Sequence, residues 1–190
     1  MKPLDASQSQ PLSGGPSFSL ANRAYRAGWQ LAWLLLARWT PPMLNGWRCW
    51  LLRLFGARIA PGAHVRSSAV IWAPANLIVE AGGSIGPGAI IYNMAPITIG
   101  ARAIVSQRAH LCAGSHDIED PHFQLVARPI VIGADAWVAA EAFVGPGVVV
   151  GEGAVLGARG CAFSDLDAWG VYGGNPAKLI RRRAKAPGAA

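Results

Sequence analysis

The run Ile99-Gly-Ala-Arg-Ala-Ile, Val105-Ser-Gln-Arg-Ala-His, Leu111-Cys-Ala-Gly-Ser-His, ending at His116, decides the fold. An aliphatic residue opens each group of six, and a small one (Ala103, Ala109, Ser115) follows four places later. A helix repeats near 3.6 residues and a half-exposed strand at two, so a period of six is neither. It fits a short strand plus a turn, and three such units close a triangular coil. The aliphatic residue then points to the axis and the small one fits the inner corner. Gly and Pro at positions two to four supply the turns. Coils stacked in this way pair their backbones as parallel sheets.

The same register extends in both directions. Hexads open at Ile59, Val65 and Ile71, at Val79, Ile85 and Ile91, and later at Ile132, Val138, Val144, Val150 and Leu156, fading at Ala162. The coils are therefore 59–76, 79–96, 99–116, 132–149 and 150–167. Two residues interrupt after 76, two after 96, and a fifteen-residue insertion, 117–131, follows His116. All three interruptions fall after an eighteenth residue, at one corner. A sandwich would instead alternate at period two with turns about every 8–12 residues. The expected fold is mainly β: a parallel β-helix of hexapeptide repeats over 58–168, with an N-terminal α-helical extension.

The flanks read differently. Of the 190 residues 52% are hydrophobic and only 14% charged, which excludes a disordered, solvating chain. Residues 1–17, rich in Ser, Gln, Pro and Gly, are expected to form a mobile lead. Residues 18–57 read as a helical extension. Its first helix runs from an N-cap at Ser19 to Trp39, where Pro41-Pro42 stops it. The second runs from Met43 to Phe55, with Trp47, Trp50, Leu51 and Leu54 on one face and Gly56 past its end. Residues 169–190 are read as a closing turn and basic tail.

Charge is concentrated in the extension. Between Ala6 and Val79 there is no acidic residue, and Arg23, Arg26, Arg38, Arg48, Arg53, Arg58 and Arg66 account for the whole net charge of +7. Interleaving with Trp29, Trp33, Trp39, Trp47 and Trp50 suits a membrane surface or core packing better than nucleic acid, for which no recognition motif is present. The apolar run from Leu31 to Ala37 lies between Arg26 and Arg38, too short to span a bilayer. Cys49, Cys112 and Cys161 share no short spacing, and no apolar segment of a secretory leader opens the chain, so reduced thiols and a cytoplasmic location are expected. The helices are expected to cap the first coil, to touch the inner membrane as a peripheral contact, or both.

Four segments carry a resemblance: the hexad run, Leu111-Cys-Ala-Gly-Ser-His-Asp, Ile132-Gly-Ala-Asp-Ala-Trp-Val, and Gly173-Gly-Asn-Pro-Ala-Lys. Together, over about 59–183, they resemble the hexapeptide-repeat acyltransferases, in the maltose, galactoside and nodulation O-acetyltransferase branch. The Trp/Arg-rich N-terminal region and Tyr92-Asn-Met-Ala-Pro-Ile-Thr-Ile-Gly are similar to the colanic-acid-type exopolysaccharide acetyltransferases. The resemblance implies a left-handed helix, a homotrimer with active sites between subunits, and acetyl-CoA as cosubstrate in the groove between two chains. It implies O-acetylation of a sugar destined for a surface polysaccharide. A non-catalytic scaffold or membrane-docking module is the alternative.

Within that frame His116 is the expected general base, since an ordinary imidazole, with a pKa of about 6.5, is largely neutral near pH 7. Asp117 and Asp120 orient His116, hold a sugar hydroxyl, or cap turns. Asn93, on the coil below, contacts substrate or forms an Asn ladder. Trp137 lines the pantetheine channel or packs a trimer interface. Ala139, where relatives commonly carry Gly, is followed along the groove by Gly157 and Ala158. Asn175, Pro176, Lys178 and Arg181 belong to a closing segment whose cations either meet the CoA phosphates or are solvated. No metal is expected: His110, His116 and His122 are spaced six apart, which puts successive imidazoles on different faces.

Overall fold

The computed structural model describes residues 2–184; Met1 and the last part of the expected basic tail, 185–190, lie outside the described residues. Three parallel sheets form the faces of a prism. On the first face Ile59, Val79, Ile99, Ile132 and Val150 are in register. On the second the column is Val65, Ile85, Val105, Val138, Leu156 and Tyr172. On the third it is Ile71, Ile91, Leu111, Val144 and Ala162. These are the hexad-opening residues plus the closing Tyr172, and nearly all are fully buried. Each such aliphatic side chain contributes roughly 2 kcal/mol of burial. The inner-corner alanines, among them Ala69, Ala89, Ala103, Ala109 and Ala142, are fully buried too.

The turns differ from the expectation of Gly and Pro. The fourth hexad position is left-handed in ten turns. Gly62, Gly82, Gly88, Gly147 and Gly153 fill half of them; Arg102, Arg108, Asp135, Glu141 and Arg159, with φ of 56–60°, fill the rest. Residues with a Cβ seldom adopt this conformation. Stacking one turn above another places their charges together: Arg102 pairs with Asp135 at 2.6 Å, and Glu141 with Arg159 at 2.7 Å and Arg108 at 3.4 Å. These pairs are solvent-exposed on the arginine side and add little stability individually.

The N-terminal region carries three helices: α1 (Ala6–Ser9), α2 (Leu20–Leu36) and α3 (Asn45–Leu54). Residues 2–17, read from composition as a mobile lead, are folded against the rest of the chain. The Leu4 N–H donates to Ser17 O, and Ala6 is buried. The amide of Gln124 grips the segment from across the molecule, accepting from Ala6 N at 2.7 Å and donating to Leu4 O at 3.1 Å. Ser19 caps α2 through Asn22 N, and Gly56, with φ of 91°, follows α3. The face of α3 expected to pack together is divided. Leu51 is buried with Arg48, Cys49 and Leu52, whereas Trp47, Trp50 and Leu54 face outward.

The buried side of the helices closes the first coil. In the second coil the carbonyls of Val79, Gly83, Ile85, Ala89 and Ile91 accept N–H groups from the first. The equivalent carbonyls of the first coil have no preceding coil, and helix side chains take its place. Arg53 Nε donates to Ile59 O (2.9 Å), Asn45 Nδ2 to Ala63 O (2.8 Å), Arg48 Nε to Val65 O (2.8 Å) and Trp29 Nε1 to Ile71 O (2.7 Å). Arg48 is 1% exposed and meets no carboxylate; its remaining nitrogens donate to Thr40 Oγ1, Pro41 O and Pro42 O.

Asn93 plays the analogous part inside the stack. It is 0% exposed; Oδ1 accepts from Ala73 N at 3.0 Å and Nδ2 donates to Ala73 O at 2.7 Å. Asn76 in turn donates to Asn93 O and Met94 O. The expected substrate contact is corrected here: both ends of the Asn93 amide bridge two coils, and no face is left for a sugar.

Two outcomes follow for stability. Arg48→Ala leaves several buried acceptors unsatisfied and is expected to lower the unfolding free energy by about 3 kcal/mol in urea titrations. Asn93→Ala is expected to cost about 2 kcal/mol by the same measurement, because Ala73 N–H and C=O lose their only bridge between the coils.

Candidate active site

The third coil does not complete itself. After the strand His110–Cys112 the chain turns outward at Ala113, and Gly114–His116 pairs antiparallel with Leu125–Ala127, His116 opposite Leu125. The insertion is thus a hairpin that begins three residues before it was expected, and His116 stands on its first strand rather than at a coil corner. Gly114 opens the departing strand, and a Cβ there would press on the Met94 methyl group, the end of a flexible side chain. Met94 packs beneath with Phe18 and Leu125. The chain rejoins the first face at Ile130, whose N–H donates to Pro96 O.

The hairpin tip holds the imidazole. Nδ1 of His116 lies 2.8 Å from the Phe123 carbonyl, and the ring stacks on the Phe123 ring at 4.4 Å and 16°. A carbonyl only accepts, so Nδ1 carries the hydrogen and Nε2 of the neutral ring keeps a lone pair. Asp117 and Asp120 shape the tip. Asp117 Oδ1 accepts from Glu119 N at 3.1 Å, and Asp120 Oδ1 accepts from His122 N at 2.7 Å. Phe123 N then donates to Asp120 O. These are Asx turns. Of the alternatives open for the two aspartates, turn capping is the one seen, and the carbonyl of Phe123 takes the orienting role expected of them.

His116 stands between two cavities. One, of about 440 Å³, has Arg23, Arg26, Trp72 and Tyr92 on its walls, together with Gly14–Phe18. The other, of about 400 Å³, is lined by Ser115, Asp117, Ile118, Val126, Arg128 and Pro146. In the first, the Arg26 guanidinium lies 4.3 Å from the Trp72 ring centre, and Tyr92 meets Trp72 edge-on at 5.8 Å. Burial pushes the Tyr92 hydroxyl pKa up, so the group stays protonated at neutral pH and can donate. Burial lowers the Arg26 pKa from its ordinary value, though an arginine remains charged at neutral pH. Among the described residues neither Arg23 nor Arg26 forms an ion pair. A polar, cationic and aromatic wall on one side of a neutral base suits a hydroxylated, ring-shaped acceptor.

The expected cofactor residues lie elsewhere on the chain. Trp137 is on the second face, 44% exposed, its Nε1 donating to Ser106 Oγ at 2.8 Å. Ala139 is buried, and Gly157 stacks above it at the next corner, the Ala139 N–H bonded to Leu156 O and the Gly157 N–H to Tyr172 O. Ala158 is exposed. Asn175 and Pro176 form the turn between the strands Gly170–Gly173 and Lys178–Arg182, and Lys178 and Arg181 on the second of these are exposed. None of these residues lines either cavity beside His116. A single chain therefore brings His116 together with Phe123 and the acceptor-side wall, and keeps the Trp137 column apart on another face.

Trp72 and Tyr92 were missed as site residues although a signal was available. Each directly follows the aliphatic residue opening the third hexad of its coil, Ile71 or Ile91, so they stack twenty residues apart on the face that leads to the insertion. Phe123 and Gln124 carried no such signal, because a hairpin tip has no period.

No protein-family model matches the sequence. The protein of Escherichia coli K12 named colanic acid biosynthesis acetyltransferase WcaF is 43% identical over 157 residues, covering 81% of this chain and 86% of that one. Among solved structures, a hexapeptide-repeat-containing acetyltransferase of Vibrio cholerae O1 biovar eltor complexed with acetyl coenzyme A superposes with a TM-score of 0.80 at 19% identity, over 96% of this chain and 100% of that chain. A maltose O-acetyltransferase from Clostridium difficile 630 gives 0.77 at 19% identity, over 88% and 90%. At such identities these two likenesses establish the coil architecture. The identity and coverage shared with the Escherichia coli protein establish more: the chain belongs to the colanic-acid-type branch of the hexapeptide-repeat acetyltransferases.

Proposed function

We propose that this enzyme transfers an acetyl group from acetyl-CoA to a hydroxyl of a saccharide in exopolysaccharide biosynthesis, with His116 as general base. The observation that carries the reading is the position of one imidazole between two cavities, its Nδ1 hydrogen-bonded to the Phe123 carbonyl. The acceptor occupies the cavity walled by Trp72, Tyr92, Arg23 and Arg26, where ring faces and donors suit a sugar. Nε2 removes the hydroxyl proton as the oxygen attacks the thioester carbonyl carbon. The tetrahedral intermediate collapses with loss of the C–S bond, and the imidazolium returns its proton to the departing thiolate. Products are the O-acetyl ester and free CoA; the imidazole is unchanged and no metal takes part.

The thioester arm approaches from the side of Ser115 and Arg128. Its cradle is completed by a neighbouring chain of a homotrimer, which contributes Trp137, Gly157 and Ala158 along the pantetheine and Lys178 and Arg181 toward the phosphates. Two facts support this assignment: the Trp137 column lies on a different face from His116, and its indole N–H is already bonded to Ser106, leaving a flat apolar surface outward. The enzyme works in the cytoplasm, where acetyl-CoA is available; no helix among the described residues is long and apolar enough to cross a membrane.

Replacement of His116 by Ala is expected to lower kcat at least about 10³-fold, within the range for loss of a positioned base, with unchanged thermal unfolding. Thiol release from acetyl-CoA, measured against a saccharide panel, checks it. Undiminished turnover by the variant would overturn the role of His116, and silence of the wild type across the panel would favour the alternative of a non-catalytic scaffold. Trp137→Ala is expected to raise the KM for acetyl-CoA several-fold while leaving the KM for the saccharide near its original value, a split that steady-state kinetics reads directly.

A further inference from the structure

The outward side of the helical extension is unusually apolar for a protein surface. Leu34, Leu35, Trp39, Met43, Trp50 and Leu54 are between 50% and 84% exposed. They lie on the end of α2, on α3 and on the connection between them. The Trp47 indole donates to Leu36 O at 2.8 Å, tying α3 to the end of α2, and stacks on Trp50 at 5.0 Å. Trp39 Nε1 donates to Leu35 O at 2.7 Å. The N–H groups of Trp39 and Trp47 are therefore satisfied inside the protein, and these rings present carbon outward. An exposed apolar patch of this kind marks an interaction surface.

We propose that this face docks the enzyme on an anionic lipid bilayer, with the tryptophan and leucine side chains entering the interfacial region and the arginines meeting lipid phosphates. Charge decides for lipid over a second copy of the chain. Arg38, Arg53, Arg58 and Arg66 are exposed in this part of the chain, and no carboxylate occurs between Ala6 and Val79. A symmetric contact between two such faces would set arginine against arginine. A different surface of a second copy would have to bring its carboxylates to the patch, and three of the ten, Asp135, Glu141 and Asp167, are already paired with arginines of their own chain. A phosphate-rich surface with an apolar interior satisfies both halves of the patch, as it does for helices that lie in the plane of a membrane. Trp29, Trp33, Arg48 and Leu52 hold the opposite side of the same helices on the first coil, so the face is presented on a rigid platform. Docking and catalysis use different residues, and this inference stands independently of the role of His116.

Flotation of the full-length protein with vesicles of phosphatidylglycerol and phosphatidylethanolamine tests it, with pure phosphatidylcholine vesicles for comparison. The wild type is expected to partition at least tenfold more strongly onto the phosphatidylglycerol vesicles. Trp39→Glu with Met43→Glu should lower that partitioning at least tenfold, and Arg38→Glu several-fold, with the melting temperature and elution volume unchanged. Absence of the wild type from the floated fraction would overturn the proposal, as would equal flotation of the double variant. So would a lipid-free wild type that elutes as a larger species than the double variant, because a second copy would then cover the patch.

Discussion

A parallel coil can end only where something else takes its backbone hydrogen bonds, and the architecture of this protein follows from that constraint. Inside the stack each coil serves its neighbour, and the six-residue repeat keeps successive carbonyls over successive N–H groups. At the first coil the partner is a set of side chains from α2 and α3, each placed opposite one orphan carbonyl. Arg48 shows how far the arrangement goes: a guanidinium taken out of water with no counter-ion, stabilised by carbonyl and hydroxyl oxygens alone. The helical extension is thus part of the solenoid's hydrogen bonding, and the other side of those helices is left for a second purpose.

The same constraint explains where chemistry can be placed. A side chain within the repeat either points to the axis or lines a face, where stacked turns form hollows such as the one walled by Pro87, Gln107, Arg108 and Glu141. Where the chain leaves the stack, at Gly114, the His116 imidazole gains surroundings on several sides. The hairpin supplies Phe123, the coils below supply Trp72 and Tyr92, and the N-terminal segment closes the far wall. The departure from the coil leaves His116 between two cavities, which is the geometry on which the proposed role as a base rests.

How much of this was legible depends on whether a residue obeys a period. The axis column from Ile59 to Leu156 was readable because six-residue spacing follows from backbone geometry, whereas the end of the third coil was placed three residues late because Gly114–His116 keeps the hexad pattern while pairing in the hairpin. Ser19 and Gly56 marked helix ends through local chemistry. The sequence leaves Asn93 between substrate contact and an Asn ladder, because it does not say which way a corner side chain turns; the amide turns inward to bridge Ala73. Trp47, Trp50 and Leu54 were grouped correctly on one side of α3, but helical spacing does not say which side faces the core. Residues 2–17 resembled a loose lead because composition records nothing of Gln124, more than a hundred positions away.

That distant grip by Gln124 has a consequence for how such enzymes diversify. Part of the cavity wall beside His116 comes from Gly14–Phe18, outside the repeat, in a segment that Gln124 fastens through Leu4 and Ala6 to a hairpin that is itself an excursion from it. Substitutions or length changes there alter the shape of that cavity without disturbing the inter-coil alignment. The scaffold and the selectivity of the enzyme are therefore free to evolve at separate rates.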